Sequence, residues 1–231
     1  NLHYEKFQDG TVKCIEDEIP FEVPEGWEWC RGNVCFRGME SRKPSGSCFQ
    51  YIDIESVNNK LHIVSTPKKL KVQDAPSRAS RKLENGSVLF SLVRPYLENI
   101  AYIGEEHSNC IASTGFYVCN TSGVLFPQFM FILMTSEYVV DGLNQFMKGD
   151  NSPSIRREDI ENWLYPIPPI QEQKRVVDKV NLALKLVTYI QENKADLNNC
   201  IVNIKTKILD LAIRGKLVPQ DPNDESASVL L

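Results

Sequence analysis

The chain has 231 residues, of which 42% are hydrophobic and 24% charged, with a formal net charge of −4. That length allows one or two domains with a real core. The longest uninterrupted apolar run, Phe129 to Met134, is far too short to span a bilayer. Seven cysteines at irregular spacings, with no basic-then-apolar leader, fit a reducing cytoplasm.

Residues 1–30 form an acidic, extended lead-in with two basic and eight acidic side chains. Glu18 to Pro24 alternates apolar and acidic residues between prolines, and Trp27 and Trp29 are placed to cover the edge of a core. The charge then reverses. Residues 37–94 hold eleven basic and five acidic side chains, and residues 95–165 return to three against nine. A basic block inside an acidic chain is how a localised polyanion site reads. A solvated loop region, neutralised in space by the acidic segments, would read the same way.

Within that block the signal is of short strands with turn punctuation. Cys48 to Ile54, Ser87 to Val93, Asn99 to Ile103 and Gly115 to Cys119 are rich in β-branched and aromatic residues, and Asn85-Gly86 is a strong turn pair. Ser41 to Ser47 is basic and rich in Gly, Ser and Pro, so it reads as an exposed loop; Lys68 to Lys71 and Ser77 to Lys82 read as loop or edge segments. From Pro127 to Met147 the period becomes helical. A short helical turn around Arg156 to Asn162 and an extended piece from Trp163 to Ile167 follow.

The last quarter carries the strongest pattern. Val176, Val180, Ala183, Val187, Ile190, Lys194, Leu197, Ile201, Ile204, Ile208 and Leu211 alternate by four and three over five heptads, with Lys194 as the one polar interruption. As a single straight helix this stretch would measure ~54 Å and would need a second helix alongside it. Lys194 at such a site costs stability and suits a role in register. Gly215 and Pro219 close the helix, and Asp221 to Glu225 has the residues of another helix start, so the chain reads as a piece of something longer.

Chemistry for catalysis is sparse. The three histidines are scattered, Cys30 and Cys35 lack a second pair for zinc, and no phosphate-binding glycine loop or Asp/Asn-Pro-Pro-aromatic motif occurs. Glu172-Gln173-Lys174 has the acid-x-Lys spacing of metal-dependent nucleases, but it opens a helix after two prolines, where a capping acid and a solvated lysine account for it.

Ile167-Pro168-Pro169-Ile170-Gln171-Glu172-Gln173-Lys174-Arg175-Val176-Val177 resembles the junction between recognition domain and spacer in type I restriction-modification specificity subunits. Ile208 to Glu225 resembles the segment that closes the spacer in that family, Phe21 to Trp29 the opening of a target-recognition domain, and Gly86 to Ser91 and Ala112 to Phe116 two internal patches. The resemblance implies an α+β fold, with a mixed small β-sheet target-recognition domain and flanking helices, followed by a long coiled-coil α-helix. On this reading residues 1–30 are the lead-in, 31–167 the DNA-binding domain, 168–217 the spacer and 218–231 the start of a following helix or tail.

It also implies a non-catalytic, cofactor-free subunit that reads one half of a bipartite site in double-stranded DNA. Such a subunit docks adenine methyltransferase subunits, meets a restriction subunit through the complex, and pairs with a second half-subunit, or as a homodimer, through its spacer. The candidate DNA contacts are Arg42, Lys43, Lys68, Lys69, Arg78, Arg81, Arg94, Asn151, Ser152 and Ser154, chosen because guanidinium and ammonium groups meet phosphates and Arg and Asn read base edges. The candidate helix-pairing residues are Val180, Val187, Ile190, Lys194, Leu197, Ile201, Ile204, Ile208 and Leu211. Two alternatives stay open: the recognition end of a fused restriction-methylation enzyme, and a coiled-coil assembly module whose basic block is incidental.

Overall fold

A computed structural model describes residues 3–6, 9–193 and 198–231, with backbone alone at 191–193, 198–200 and 202. The lead-in is more structured than an extended strap. Strands β1 (Tyr4–Lys6) and β2 (Val12–Cys14) pair antiparallel. Its acids find a cation in Arg31, which binds Glu5 at 3.1 Å and Glu18 at 2.6 Å and so ties the lead-in to β3 (Glu28–Arg31). A short helix, α1 (Gly32–Cys35), follows. The tryptophans cover the core as expected: Trp27 and Trp29 are both buried.

The apolar runs of the middle region build two sheets. Strands β4 (Cys48–Ile52), β7 (Lys68–Lys71), β8 (Ala79–Lys82) and β11 (Ile111–Ser113) form one, in the order β7-β4-β11-β8. The lysine- and arginine-rich segments are thus its two outermost strands. Between them in sequence, β5 (Val57–Asn58) and β6 (Ile63–Val64) make a small hairpin. Strands β9 (Val88–Ser91), β10 (Ile100–Tyr102) and β12 (Phe116–Cys119) form the second sheet, antiparallel with β9 central. Gly86, at φ +91, makes the turn into β9.

This three-stranded sheet is buried on both faces, which explains its continuous apolar strands. Val88, Phe90, Ile100, Tyr117 and Cys119 face one core, shared with the helices. Leu89, Ala101, Phe116 and Val118 face another, shared with Ile52, Val57, Leu83 and Ala112. Each such large side chain fully withdrawn from water contributes about 1.5–3 kcal/mol.

The helical stretch expected from Pro127 to Met147 is two helices, α2 (Pro127–Met134) and α3 (Glu137–Asn144). Thr135 turns its hydroxyl back to the Phe131 and Ile132 carbonyls, and the Ser136 side chain caps α3 by accepting from the Val139 N–H. A short helix α4 (Arg157–Asn162) leads into β13 (Leu164–Ile167), which pairs antiparallel with β3.

The main correction concerns the heptad stripe. A long helix is present, α5 (Ile170–Asn193), about 36 Å at 1.5 Å per residue. It does not run on to Leu211 as one rod. Helix α6 (Asn198–Ile213) packs back along α5, and Ala212 and Ile213 are buried in the same core as Val176, Val177 and Val180 near the start of α5. Both ends meet at Trp27: Glu172 of α5 neighbours its indole, and a Cβ at Gly215 would stand 2.9 Å from the same ring. The physical reason is that a narrow a/d stripe specifies a helical partner without saying whether that partner is another chain. Here the second half of the stripe covers the first.

Of the expected pairing residues, Val180, Val187 and Ile201 are buried, Ile208 and Leu211 half-buried, and Ile190 and Ile204 exposed. Lys194 and Leu197 lie outside the described residues. Gly215, at φ +64, terminates α6 with Lys216 N–H bonded to the Leu211 carbonyl at 2.8 Å.

Candidate nucleic-acid interface

The β8 edge carries four of the ten expected DNA contacts, Arg42, Lys43, Arg78 and Arg81. The chain at 40–42 runs alongside β8: Lys82 N–H donates to the Glu40 carbonyl, Ser41 bridges to Arg81, and Arg42 N–H donates to the Ser80 carbonyl at 2.8 Å. The carbonyl of Arg78 accepts from Thr114 N–H. One residue on, the Gly115 carbonyl accepts from Leu92 N–H, and the Leu92 carbonyl accepts from Ile155 N–H. A continuous backbone ladder therefore links Arg42, Arg78 and Arg81 to the loop that brings in Arg156 and Arg157. Lys43, next to Arg42, is exposed in the 41–47 loop.

Arg94 has a different task. Its backbone is left-handed, φ 49, and its guanidinium donates to the Asn151 carbonyl at 2.8 Å and to Ser152 Oγ at 3.5 Å. Its N–H donates to the Pro153 carbonyl, while Ser154 bridges to Val93 and Lys148. The structure therefore joins Arg94, Asn151, Ser152 and Ser154 into one loop assembly in which Arg94 is the brace and the exposed Asn151 and Ser152 are the tip.

Lys68 and Lys69 lie on β7, the opposite edge of the same sheet, three strand spacings or roughly 14 Å from β8. Lys68 is matched by Asp53 at 2.5 Å and Glu55 at 2.7 Å, and these carboxylates hold its ammonium well above the ordinary lysine value. Lys69, opposite Gln50, is exposed and has no ion pair among the described residues.

The basic block is partly neutralised from within. Lys82 pairs with Glu40 at 2.7 Å and Glu84 at 3.4 Å, and Arg37 pairs with Glu84. These contacts hold the Glu84 carboxyl below the usual carboxylate range, Arg37 first. Arg42, Lys43, Arg78 and Arg81 have no carboxylate partner among the described residues. Arg157, which the sequence reading missed, pairs with Glu161 at 2.6 Å and brings its charge to bear on Arg81. Its signal was the Arg156-Arg157 pair just after the loop, masked by an acidic neighbourhood.

The nuclease-like spacing dissolves in three dimensions. Gln173 is structural: its Oε1 accepts from Phe126 N–H at 2.6 Å and its Nε2 donates to the Val124 and Pro168 carbonyls, both at 2.9 Å. Glu172 is buried beside Trp27, while Lys174 is exposed and sits over the Phe126 ring. Among the described residues no three His, Cys, Asp or Glu side chains are placed to hold a metal ion, and no helix is long and apolar enough to cross a membrane.

On the helical hairpin, Leu182, Leu186, Ile190 and Ile204 stay exposed beyond the face that the two helices use on each other. The structure thus joins an arginine-lined sheet edge to a helical hairpin with an apolar outer face. No family model matches the sequence. The curated relatives it matches include the EcoAI specificity subunit of Escherichia coli, 23% identical over 98% of this chain and 46% of that protein. The MjaVIII specificity subunit of Methanocaldococcus jannaschii is 27% identical over 58% of this chain and 32% of its own length.

Among solved structures, the HsdS subunit from Thermoanaerobacter tengcongensis superposes with a TM-score of 0.71 at 33% identity, over 78% of this chain and 47% of that one. A chain solved in work on complex assembly and conformational transition of the type I R-M system gives 0.71 at 31%, over 89% and 53%. In sequence and in fold the chain is similar to type I restriction-modification specificity subunits, and the matches support that recognition. It spans about half the length of the curated relatives it matches at full coverage.

Proposed function

We propose that this chain is a DNA-recognition module of a type I restriction-modification complex, reading one half of a bipartite site, with residues 31–167 as the reader and 168–217 as the spacer. The observation that carries this reading is the row of Arg42, Lys43, Arg78 and Arg81 along one sheet edge, without carboxylate partners among the described residues, in a chain similar to the specificity subunits. Charges of this kind meet backbone phosphates and give salt-dependent affinity without sequence information. Base edges then fall to the side chains of the two flanking loops, 41–47 and 148–154, where Asn151 and Ser152 are exposed.

The helical hairpin serves as the arm for protein partners: adenine methyltransferase subunits, a second half-subunit or copy of this chain, and a restriction subunit through the assembled complex. Leu182, Leu186, Ile190 and Ile204 supply an apolar surface for such docking. A methyltransferase must swing its adenine out of the stack, and this chain would hold the duplex meanwhile. It takes no catalytic part, and S-adenosylmethionine belongs to the partner. The spacing between readers is then set by α5 and its packing, at about 36 Å of helix, close to one duplex turn.

Fluorescence anisotropy of labelled duplex, titrated with the full chain at several salt concentrations, tests the reading. Binding that weakens steeply with salt is expected. Absence of binding to any duplex, even with the methyltransferase subunit added, refutes it.

A further inference from the structure

Among the described residues Arg81 is a half-buried cation without an ion pair. It sits on β8 between Ala112 on one side and Ser41 on the other, and its Nε is buried without an acceptor. Several other partly buried cations are matched: Arg31 by Glu5 and Glu18, Lys82 by Glu40 and Glu84, Arg175 by Asp224. Beside Arg81 there is instead a second guanidinium. Arg157 bears on it with like charge, and the nearby carboxylate of Glu161 is committed through Oε1 to Arg157 Nε at 2.6 Å and Tyr117 Oη at 3.1 Å. Burial, then Arg157, both disfavour the charged form of Arg81. The Arg157 guanidinium is thus committed to a carboxylate, while Arg81 has none among the described residues and keeps a buried, unused N–H.

A structural salt bridge would not be built this way, because an unpaired cation half withdrawn from water costs stability and returns nothing. The arrangement is completed by an anion with several acceptor oxygens. A phosphodiester has the right charge and suits the planar fork of arginine. Arg42 and Arg78 continue the positive row along the same ladder, which fits a polyanion better than an isolated phosphate.

We propose that Arg81 and Arg157 together clamp one backbone phosphate of the bound duplex, a contact that fixes its register on the β8 edge without reading a base. This inference rests on the DNA-recognition reading above. It assigns Arg81 and Arg157 as positioning residues and leaves base choice to the loops.

The test uses the full chain and a mixed-sequence duplex of about 20 base pairs, roughly two turns. Affinity is measured against salt for the parent, Arg81→Gln, Arg157→Gln and the double variant, and thermal melting is followed for each without DNA. Arg81→Gln is expected to weaken binding on the order of tenfold, as for one charge-assisted contact, with most of the log–log salt slope kept because Arg157 still meets the phosphate. The double variant should flatten the slope by a single increment of about 0.9, because one phosphate is shared. Melting of Arg81→Gln should stay level or rise, because an unpaired buried charge has gone.

Arg81→Lys, which keeps the charge and loses the fork, should keep the slope and lose part of the affinity. Unchanged affinity and slope in Arg81→Gln, with the parent binding normally, overturns the clamp and leaves the DNA reading intact. A fall in melting temperature that accounts for the lost binding also overturns it, by making Arg81 structural. Inorganic phosphate that protects the parent but not Arg81→Gln, with duplex affinity equal in the two, would make this a free-phosphate site and reject the duplex as its ligand. No binding by the parent at all refutes the parent reading itself.

Discussion

Gln173→Ala tests the junction that holds the helical arm to the recognition domain. Gln173 is fully buried at the start of α5, and its side-chain amide makes three hydrogen bonds, to Phe126 N–H, the Val124 carbonyl and the Pro168 carbonyl. Truncation leaves one buried donor and two buried carbonyls without that partner. Each orphaned group costs about 1–3 kcal/mol, but the carbonyls keep lone-pair alternatives and a water can enter the space, so a total of about 3–4 kcal/mol is reasonable. For a chain of this size that lowers the melting temperature by roughly 6–16 °C. Differential scanning calorimetry of Gln173→Ala against the exposed neighbour Gln171→Ala measures it; the neighbour should stay within about 0.5 kcal/mol of the parent. Equal melting of both variants would refute the reasoning, since the three bonds would then contribute nothing at the root of the arm.

Three further outcomes follow from particular residues. Burial raises the Glu172 carboxyl above 4.5, opposed by the Trp27 indole and Arg175. A group with a raised folded value binds more protons when folded, so its contribution falls as pH climbs from 4.5 to that value and stays lost above it. Glu172→Gln should therefore melt no lower than the parent at neutral pH and lose this part of the pH dependence; a lower melting point at neutral pH counts against it. Gly142→Ala would place a Cβ 2.2 Å from the Trp163 ring, so a loss of about 1–3 kcal/mol and a changed tryptophan emission are expected in denaturant titration. Leu182→Ser with Leu186→Ser should leave melting within about 0.5 kcal/mol of the parent while weakening capture of the methyltransferase subunit or of a second copy in sedimentation runs; unimpaired capture would put docking elsewhere.

Much of the strand architecture was legible because the three-stranded sheet is buried on both faces, so its apolar runs are unbroken. The edges β7 and β8 were legible as edges for the converse reason, their charge. Gly215 read correctly as a terminator since only its left-handed φ lets the chain turn into Pro24 and Trp27. The fold-back of the heptad stripe was not legible. Periodicity shows that Val180, Val187 and Ile201 need a helical neighbour, and α6 supplies it from within the chain.

The break between α2 and α3 was hidden because the apolar period runs through Thr135 and Ser136, whose hydroxyls bond to backbone in place of the helical ladder. At the candidate interface, linear charge counting treated Lys68 and Arg42 alike. Only the folded chain puts Asp53 and Glu55 on Lys68, while no carboxylate pairs with Arg42 among the described residues. Arg157 escaped notice because its own segment is acidic, and its relation to Arg81 exists only across the fold.

The most direct measurement compares duplex affinity of the full chain with that of Arg42→Ala combined with Arg78→Ala, and with that of Lys68→Ala, over a salt series. The β8-edge pair should weaken binding and flatten the log–log salt slope by up to about 1.8, two phosphate contacts, while Lys68→Ala, already neutralised by Asp53 and Glu55, should bind as the parent does. Loss of affinity in Lys68→Ala with none in the β8-edge variant would contradict the account, because the DNA would then lie on the other edge of the sheet.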